Sequence, residues 1–334
     1  MIERVVSGIR PTGNLHLGNY FGALQNFIKM QDTQECYFFI ADYHSLTTHP
    51  HPADLHKNVK QVLVEYLAAG LNPDKSAIYL QSDLPETAEM YLLLNMNAYM
   101  GELERSTSFK DKIRTQPNNV NAGLLTYPVL MAADILIHRA HKVPVGKDQE
   151  QHLEMTREYA RRFNSMYGQE FFLEPTAFNF GEKLVKVPGL DGTGKMSKSE
   201  SGMNAIFLVD DDKTIEKKIK AAKTDLGPQG SDTAFSPEIE NIFGLFSLVS
   251  TKDTLKYFED KWKKGEEKWY GEMKKQLIAD MIKFISPIRN KITALSEDDS
   301  YLSKVAKQGA EKAHESGAQT VKEMREIIGF RKFF

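Results

Sequence analysis

The stretch Ser7-Gly8-Ile9-Arg10-Pro11-Thr12-Gly13-Asn14-Leu15-His16-Leu17-Gly18-Asn19 decides how the first half of the chain is read. The run Arg4–Ile9 reads as a strand, a loop with Pro11 and Gly13 turns the chain, and a helix is expected from about residue 17 to residue 30. Working outward, further strands are expected at 36–41, 77–81 and 142–145, and helices at 55–69, 85–100 and 148–164. The 55–69 segment sets Val59, Leu63 and Leu67 on one helical face. Strands alternating with helices predict an α/β fold, a Rossmann-like parallel sheet with helices on both faces.

Residues 101–121 are polar and charged and are expected to interrupt this pattern before a helix at 123–140. The expected first domain is therefore a Rossmann-like domain over 1–200, with an insertion around 101–140. Beyond Gly202 the composition shifts to Lys, Glu and Asp, with helical periods at 213–223, 238–249, 273–291 and 301–315. Residues 201–334 are expected to form a mostly helical second domain.

Bulk properties narrow the classes. A 334-residue chain with 41% hydrophobic and 26% charged residues is that of an ordinary globular enzyme. The net charge of -2 supplies no global field for nucleic acid, so RNA contact has to come from local patches and DNA is not expected as a partner. Cys36, the sole cysteine, excludes an internal disulfide, an all-cysteine zinc site and an iron–sulfur cluster, and reads as a small buried hydrophobe. The apolar stretch 122–137 contains Thr126, Pro128 and Asp134 and is too short to span a bilayer, so a cytoplasmic location without membrane attachment is expected.

Two motifs handle phosphate. At the first, a strand ends, a glycine loop turns and a helix begins, so free N–H groups and a positive dipole end face a phosphate. Gly13 and Gly18 allow close backbone approach, and His16 can donate to a phosphoryl oxygen as charge builds. The second is Gly189-Leu190-Asp191-Gly192-Thr193-Gly194-Lys195-Met196-Ser197-Lys198-Ser199. Its glycines make a mobile loop, and two lysines spaced by three suit a clamp on departing pyrophosphate. A plain βα turn and a solvated basic loop are the bland readings of each motif alone.

Together, His16-Leu17-Gly18-Asn19 and Lys195-Met196-Ser197-Lys198-Ser199 resemble the paired signature motifs of class I aminoacyl-tRNA synthetases. Asn19 departs from the family's usual histidine and is similar to the tryptophanyl branch. That branch is also resembled by Gly18-Asn19-Tyr20-Phe21-Gly22-Ala23-Leu24, Gly101-Glu102-Leu103-Glu104-Arg105, Ala122-Gly123-Leu124-Leu125-Thr126-Tyr127-Pro128, Leu130-Met131-Ala132-Ala133-Asp134-Ile135-Leu136 and Val143-Pro144-Val145-Gly146-Lys147-Asp148-Gln149. The resemblance covers nearly the whole chain. It implies a tryptophan–tRNA ligase: ATP and L-tryptophan give tryptophanyl-adenylate and pyrophosphate, and tryptophan then passes to tRNA(Trp). It also implies Mg2+ bound mainly through ATP phosphates, a homodimer, and anticodon recognition by the C-terminal helices.

By the same resemblance, His16, Lys195, Lys198 and Lys110 are catalytic. ATP lies against Arg10, Pro11, Thr12, Gly18, Asn19, Gly146, Lys147, Asp148, Val187, Lys195, Met196, Ser197, Lys198 and Ser199. Tryptophan lies among Val6, His44, Tyr127, Met131, Asp134, Val143, Val145 and Gln149, with Tyr127 and Gln149 on its α-amino group. No protein metal site is expected. Arg10 stands where many members carry Gln, Lys147 where many carry Glu, and Val6 where Phe is frequent. Arg10 is expected to add positive charge at the substrate carboxylate or the α-phosphate.

The residues offer a physical account of the amino acid chosen. Tyr127, Met131 and Asp134 at i, i+4 and i+7 share one helix face. An aromatic, a thioether and a carboxylate suit a flat aromatic ligand with one N–H, and a site built on that bond rejects an analogue lacking it. On the residues alone, a core helix face with one Asp near its end is the plainer reading. Asp148 reads as an N-cap with Gln151 in a capping box, leaving Gln149, His152 and Thr156 on one side.

RNA contact is less legible. Lys213, Lys217, Lys218, Lys220 and Lys223 form a basic stretch, read first as a solvated helix face. Lys261-Trp262-Lys263-Lys264 with Lys268-Trp269-Tyr270 suits either base stacking or packing of the helical domain. Two alternatives stay open: a tyrosyl-tRNA synthetase, which shares the fold, and a non-charging RNA-binding paralogue.

Overall fold

β1 (Arg4–Ile9) is the middle strand of a five-stranded parallel sheet with β2 (Glu35–Ile40), β3 (Ser76–Leu80), β4 (Lys142–Val143) and β5 (Thr176–Ala177). The order is β3-β2-β1-β4-β5, with Val5 opposite Cys36 on one side and Lys142 on the other. The chain steps outward from β1 to β3, crosses back past β1 to β4 and steps outward again. The order reverses between β1 and β4, and the carboxyl ends of strands at such a reversal are where open parallel sheets form a ligand crevice. The computed structural model describes residues 2–331 and 333, apart from 116, 147–148, 179–186, 193, 198–201, 232 and 267.

Local chemistry explains the helices around the crevice. Pro52 opens Pro52–Ala69, whose first turn is capped by His51 accepting from the Ala53 N–H at 3.3 Å. Asn121 caps Ala122–Leu136 through the Leu124 N–H at 3.1 Å. The helical stretch expected over 17–30 is present but not uniform: Tyr20–Leu24 is wound as a π-helix between two α-helical pieces, a form concentrated at functional sites. Cys36 is buried in β2, where burial and Glu35 push its thiol up to about 12, so it is inert at neutral pH.

The chain forms two compact units. One comprises Met1–Gly13, Asn26–Lys183 and Asp298–Phe334, the other Asn14–Gln25 and Leu184–Glu297. This division differs from the composition boundary at residue 200, first in placing residues 184–200 with the second unit and then in two further segments. The long helix Asp299–Ile328 belongs with the sheet, because its buried stripe Leu302, Val305, Gly309, Ala313, Gly317 and Val321 lies on the side that packs on edge strand β3 and on the helix Glu86–Asn95. The segment Asn14–Gln25 joins the second unit through strand-like pairing: Leu17 N–H donates to Ile206 O at 2.9 Å, and Leu208 N–H to Leu15 O at 3.0 Å. Composition reports solvent exposure of a helix's outer face, not which partner its inner face packs on.

In the second unit a helix not anticipated from sequence, Lys252–Lys263, buries only Phe258 and Trp262, too thin a stripe to read. Trp262 and Trp269 are buried, with their indole N–H groups donating to Thr233 O and Glu266 O. Of the two roles left open for these aromatics, packing is the one adopted. Lys218 also leaves the expected solvated face: it is buried in an ion pair with Asp210 at 2.6 Å. Among the described residues no helix is long and apolar enough to cross a membrane.

Candidate active site

Strand ends in the first unit deliver polar side chains to one place. The short helix Asp42–Ser45 after β2 presents His44, and the turn Gln81–Asp83 after β3 presents Gln81. Both meet Asp134 near the end of Ala122–Leu136: His44 Nε2 lies 2.9 Å from Oδ2, and Gln81 Nε2 donates to Oδ1 at 2.7 Å. Asp134 is only 2% exposed. Burial raises its pKa, against the opposing pull of His44 and Gln81. One turn earlier on that face sits Met131, half-buried against the core, and one turn before that Tyr127. The face read from spacing is therefore formed, and its carboxylate is held by groups from two other strands.

A second cluster surrounds Tyr127. Its hydroxyl lies 2.7 Å from His152 Nε2, which is also 2.8 Å from Ser108 Oγ, while His152 Nδ1 lies 2.9 Å from Gln149 Oε1. Tyr127 and Gln149, both expected in the site, are thus brought together by His152, which sequence reasoning placed on this helix side without a role. Gln151 Oε1 accepts from the Thr107 N–H and hydroxyl at 3.0 and 2.7 Å. Asp148, the expected cap, and Lys147 lie outside the described residues.

Arg10 follows β1 at the crevice. Burial lowers its pKa while nearby Tyr127 raises it, and its Nε is buried without a hydrogen-bond partner among the described residues. A guanidinium keeps its charge, so this is a cation in want of an anion. Pro11 is buried and Thr12 exposed, Gly146 accepts from the Gln149 N–H at 2.9 Å, and Val145 packs at the core margin. Val6 and Val143 are core residues of β1 and β4, at most 2% exposed. Lys110 is exposed on the helix Thr107–Thr115.

The second unit brings both phosphate motifs together. The His16 N–H donates to Asn19 Oδ1 at 3.0 Å, closing the helix start. A Cβ on Gly18 would lie 2.8 Å from the His16 ring and 3.7 Å from Met196, so glycine lets the imidazole fold over the first turn beside the lysine motif. Met196 is buried, its N–H donating to Val187 O at 2.8 Å, and Pro188 pairs with Lys195 in a tight hairpin. Gly192 and Gly194, at φ 79° and 66°, make its turn. Lys195 and Ser197 are exposed, and Lys198 and Ser199 lie outside the described residues.

A model of the class I tRNA synthetases for W and Y matches residues 3–286. The tryptophan–tRNA ligase of Porphyromonas gingivalis is 58% identical over 330 residues, covering 99% of this chain and 100% of that protein. The chain belongs to the tryptophanyl-tRNA synthetases of class I. The corresponding ligase of Rickettsia conorii is 42% identical over 99% of both chains. Among solved structures, the tryptophanyl-tRNA synthetase of Campylobacter jejuni complexed with ADP and tryptophan superposes with a TM-score of 0.86 at 36% identity, covering 98% of this chain and all of that one. The structure from Mycoplasma pneumoniae gives 0.83 at 31% identity over 99% of both. The synthetase is a tryptophan–tRNA ligase, and its family uses ATP, tryptophan and tRNA as substrates.

Proposed function

We propose that activation proceeds by in-line attack of the tryptophan carboxylate on the α-phosphorus of ATP, with this chain supplying position and charge and no protein nucleophile. The carboxylate oxygen forms the new P–O bond as the bond to pyrophosphate breaks. Asp134 accepts the indole N–H, Met131 contacts the ring edge, and His44, Val6, Val143 and Val145 shape the pocket. Tyr127 and Gln149 receive the α-ammonium. Arg10 meets the substrate carboxylate or the α-phosphate, a reading supported by its buried Nε, which has no hydrogen-bond partner among the described residues.

Pro11, Thr12, Gly18, Asn19, Gly146, Lys147, Asp148, Val187 and Met196 hold the nucleotide in this reading. His16 donates to a phosphoryl oxygen, and Lys195 and Lys198, with the hydroxyls of Ser197 and Ser199, follow the departing pyrophosphate. Lys110 reaches the same phosphates. Transfer then passes the tryptophanyl group to the 3′ end of tRNA(Trp), releasing AMP. The helices after residue 201 recognise the anticodon.

Mg2+ bound mainly through the ATP phosphates would offset their charge in this reading. We place the enzyme in the cytoplasm as a homodimer. Exposed Leu92, Met96, Tyr99 and Met100 clustered within nine residues support a self-association face, which sedimentation analysis tests.

The buried Asp134 carboxylate on the Tyr127–Met131 face is the observation that carries amino-acid choice. ATP–pyrophosphate exchange across a panel of amino acids, with tRNA charging beside it, is expected to show turnover with tryptophan and not with tyrosine. Asp134→Asn should cost about 2 kcal/mol of tryptophan recognition, roughly a thirtyfold rise in tryptophan KM, with ATP KM little changed. An unchanged tryptophan KM would remove Asp134 from the site.

A further inference from the structure

Asp134 is held by two groups, and one of them is a glutamine whose own orientation leaves no choice. Gln81 is 1% exposed in the turn after β3. Its Oε1 accepts from the Tyr43 backbone N–H at 3.1 Å, and its Nε2 donates to Asp134 Oδ1 at 2.7 Å. A backbone N–H can only donate and a carboxylate can only accept, so the group between them must offer one acceptor and one donor at fixed ends. An amide does this and fixes its own flip. The relay is anchored further: Asp42 Oδ1 accepts from the Tyr43 and Ser82 N–H groups, both at 3.0 Å, and Asp42 Oδ2 from the Ser82 hydroxyl at 2.5 Å. The ends of β2 and β3 are thereby tied to each other and, through Gln81, to Asp134.

A carboxylate rotates about its Cβ–Cγ bond unless both oxygens are engaged. With Gln81 on Oδ1 and His44 on Oδ2, the Asp134 plane is set and each oxygen retains one in-plane lone pair. We propose that Gln81 is a positioning residue for amino-acid selection, holding the Asp134 carboxylate so that a free lone pair is aimed at the indole N–H of tryptophan. This rests on the reading that Asp134 receives that N–H. Selection against an isosteric ring without an N–H then depends on Gln81, which never touches the substrate. His44 alone leaves Oδ1 without a donor and the plane free to turn. The charged or titratable groups facing Asp134 are His44 and Asp42 after β2 and the Tyr79 phenol on β3.

The test compares L-tryptophan with L-β-(3-benzothienyl)alanine, which keeps the ring shape but replaces N–H by sulfur, in ATP–pyrophosphate exchange on the full-length enzyme. Gln81→Met is expected to raise tryptophan KM tenfold or more, to leave ATP KM within twofold, and to shrink the tryptophan preference over the analogue at least tenfold. A merely structural role lowers kcat/KM for both amino acids alike, and that result overturns the proposal. Gln81→Glu covers the case in which the methionine variant does not fold. Its acid form restores the acceptor–donor pair, so its preference for tryptophan should recover as pH falls, and a flat profile counts against the proposal. Asp134→Asn separates the two readings. If that variant keeps its discrimination, the role of Asp134 fails. If it loses discrimination while Gln81→Met does not, only the role of Gln81 fails. The double variant should be no worse than Asp134→Asn alone, whereas additive losses overturn a relay through Asp134.

Discussion

At the scale of single residues, the chemistry turns on charges taken out of water with incomplete pairing. Asp134 keeps a raised pKa because burial outweighs its two donors, and Arg10 keeps a buried Nε without a partner among the described residues. Each is costly to the free protein, and in the proposed reading a substrate supplies the missing group. Arg10→Gln removes the cation and retains polar contacts. It is expected to raise the KM of tryptophan or ATP, or to slow adenylate formation, by about tenfold, the value of a lost charge-assisted hydrogen bond. Single-turnover kinetics check this, and unchanged parameters throughout remove Arg10 from the site. The departure of Arg10 from the family's common glutamine was visible in the sequence. Gln81 was not, because it stands at the end of an expected strand and nothing in its neighbours announces a carboxylate fifty-three residues further on.

At the scale of elements, most of the first unit was legible because its signals are local. β1 matches its expected bounds, and the helix carrying Asp134 begins at Asn121 with a side-chain cap. The lysine hairpin owes its turn to Gly192 and Gly194. The long helix Asp299–Ile328 was legible as a helix but not as a cover for β3. Its Gly309 lies so close to that strand that an added Cβ would sit 1.8 Å from Ile78 O. Gly309→Ala therefore forces helix and strand apart and should destabilise the protein by about 3 kcal/mol or more, although alanine is the better helix former. Thermal denaturation checks this. A melting temperature equal to that of the unmodified protein contradicts the close approach.

At the scale of the whole molecule, the division into units matters for what can be removed. Residues Asp298–Phe334 look by composition like the tail of a helical domain, yet they belong to the unit holding the sheet. Truncation after Glu297 uncovers the backbone of edge strand β3 and removes buried Leu302, Val305, Ala313 and Val321 from the core they help to form. The truncated chain is expected to aggregate or lose cooperative unfolding, and to lose pyrophosphate exchange even though every motif residue is retained. Soluble expression with intact exchange would contradict this.

The sequence by itself determined the parallel α/β architecture, the pairing of the two phosphate motifs and the face of Tyr127, Met131 and Asp134. Each of these is written in periods of two or 3.6 residues, or in short strings whose chemistry is local. Only the tertiary structure decided that His44 and Gln81 hold Asp134, that His152 joins Tyr127 to Gln149, that both tryptophans of the helical unit are core, and that the last helix covers β3. Those facts are contacts between residues far apart in the chain. They depend on the strand order and on which face each helix turns inward, which no local window records.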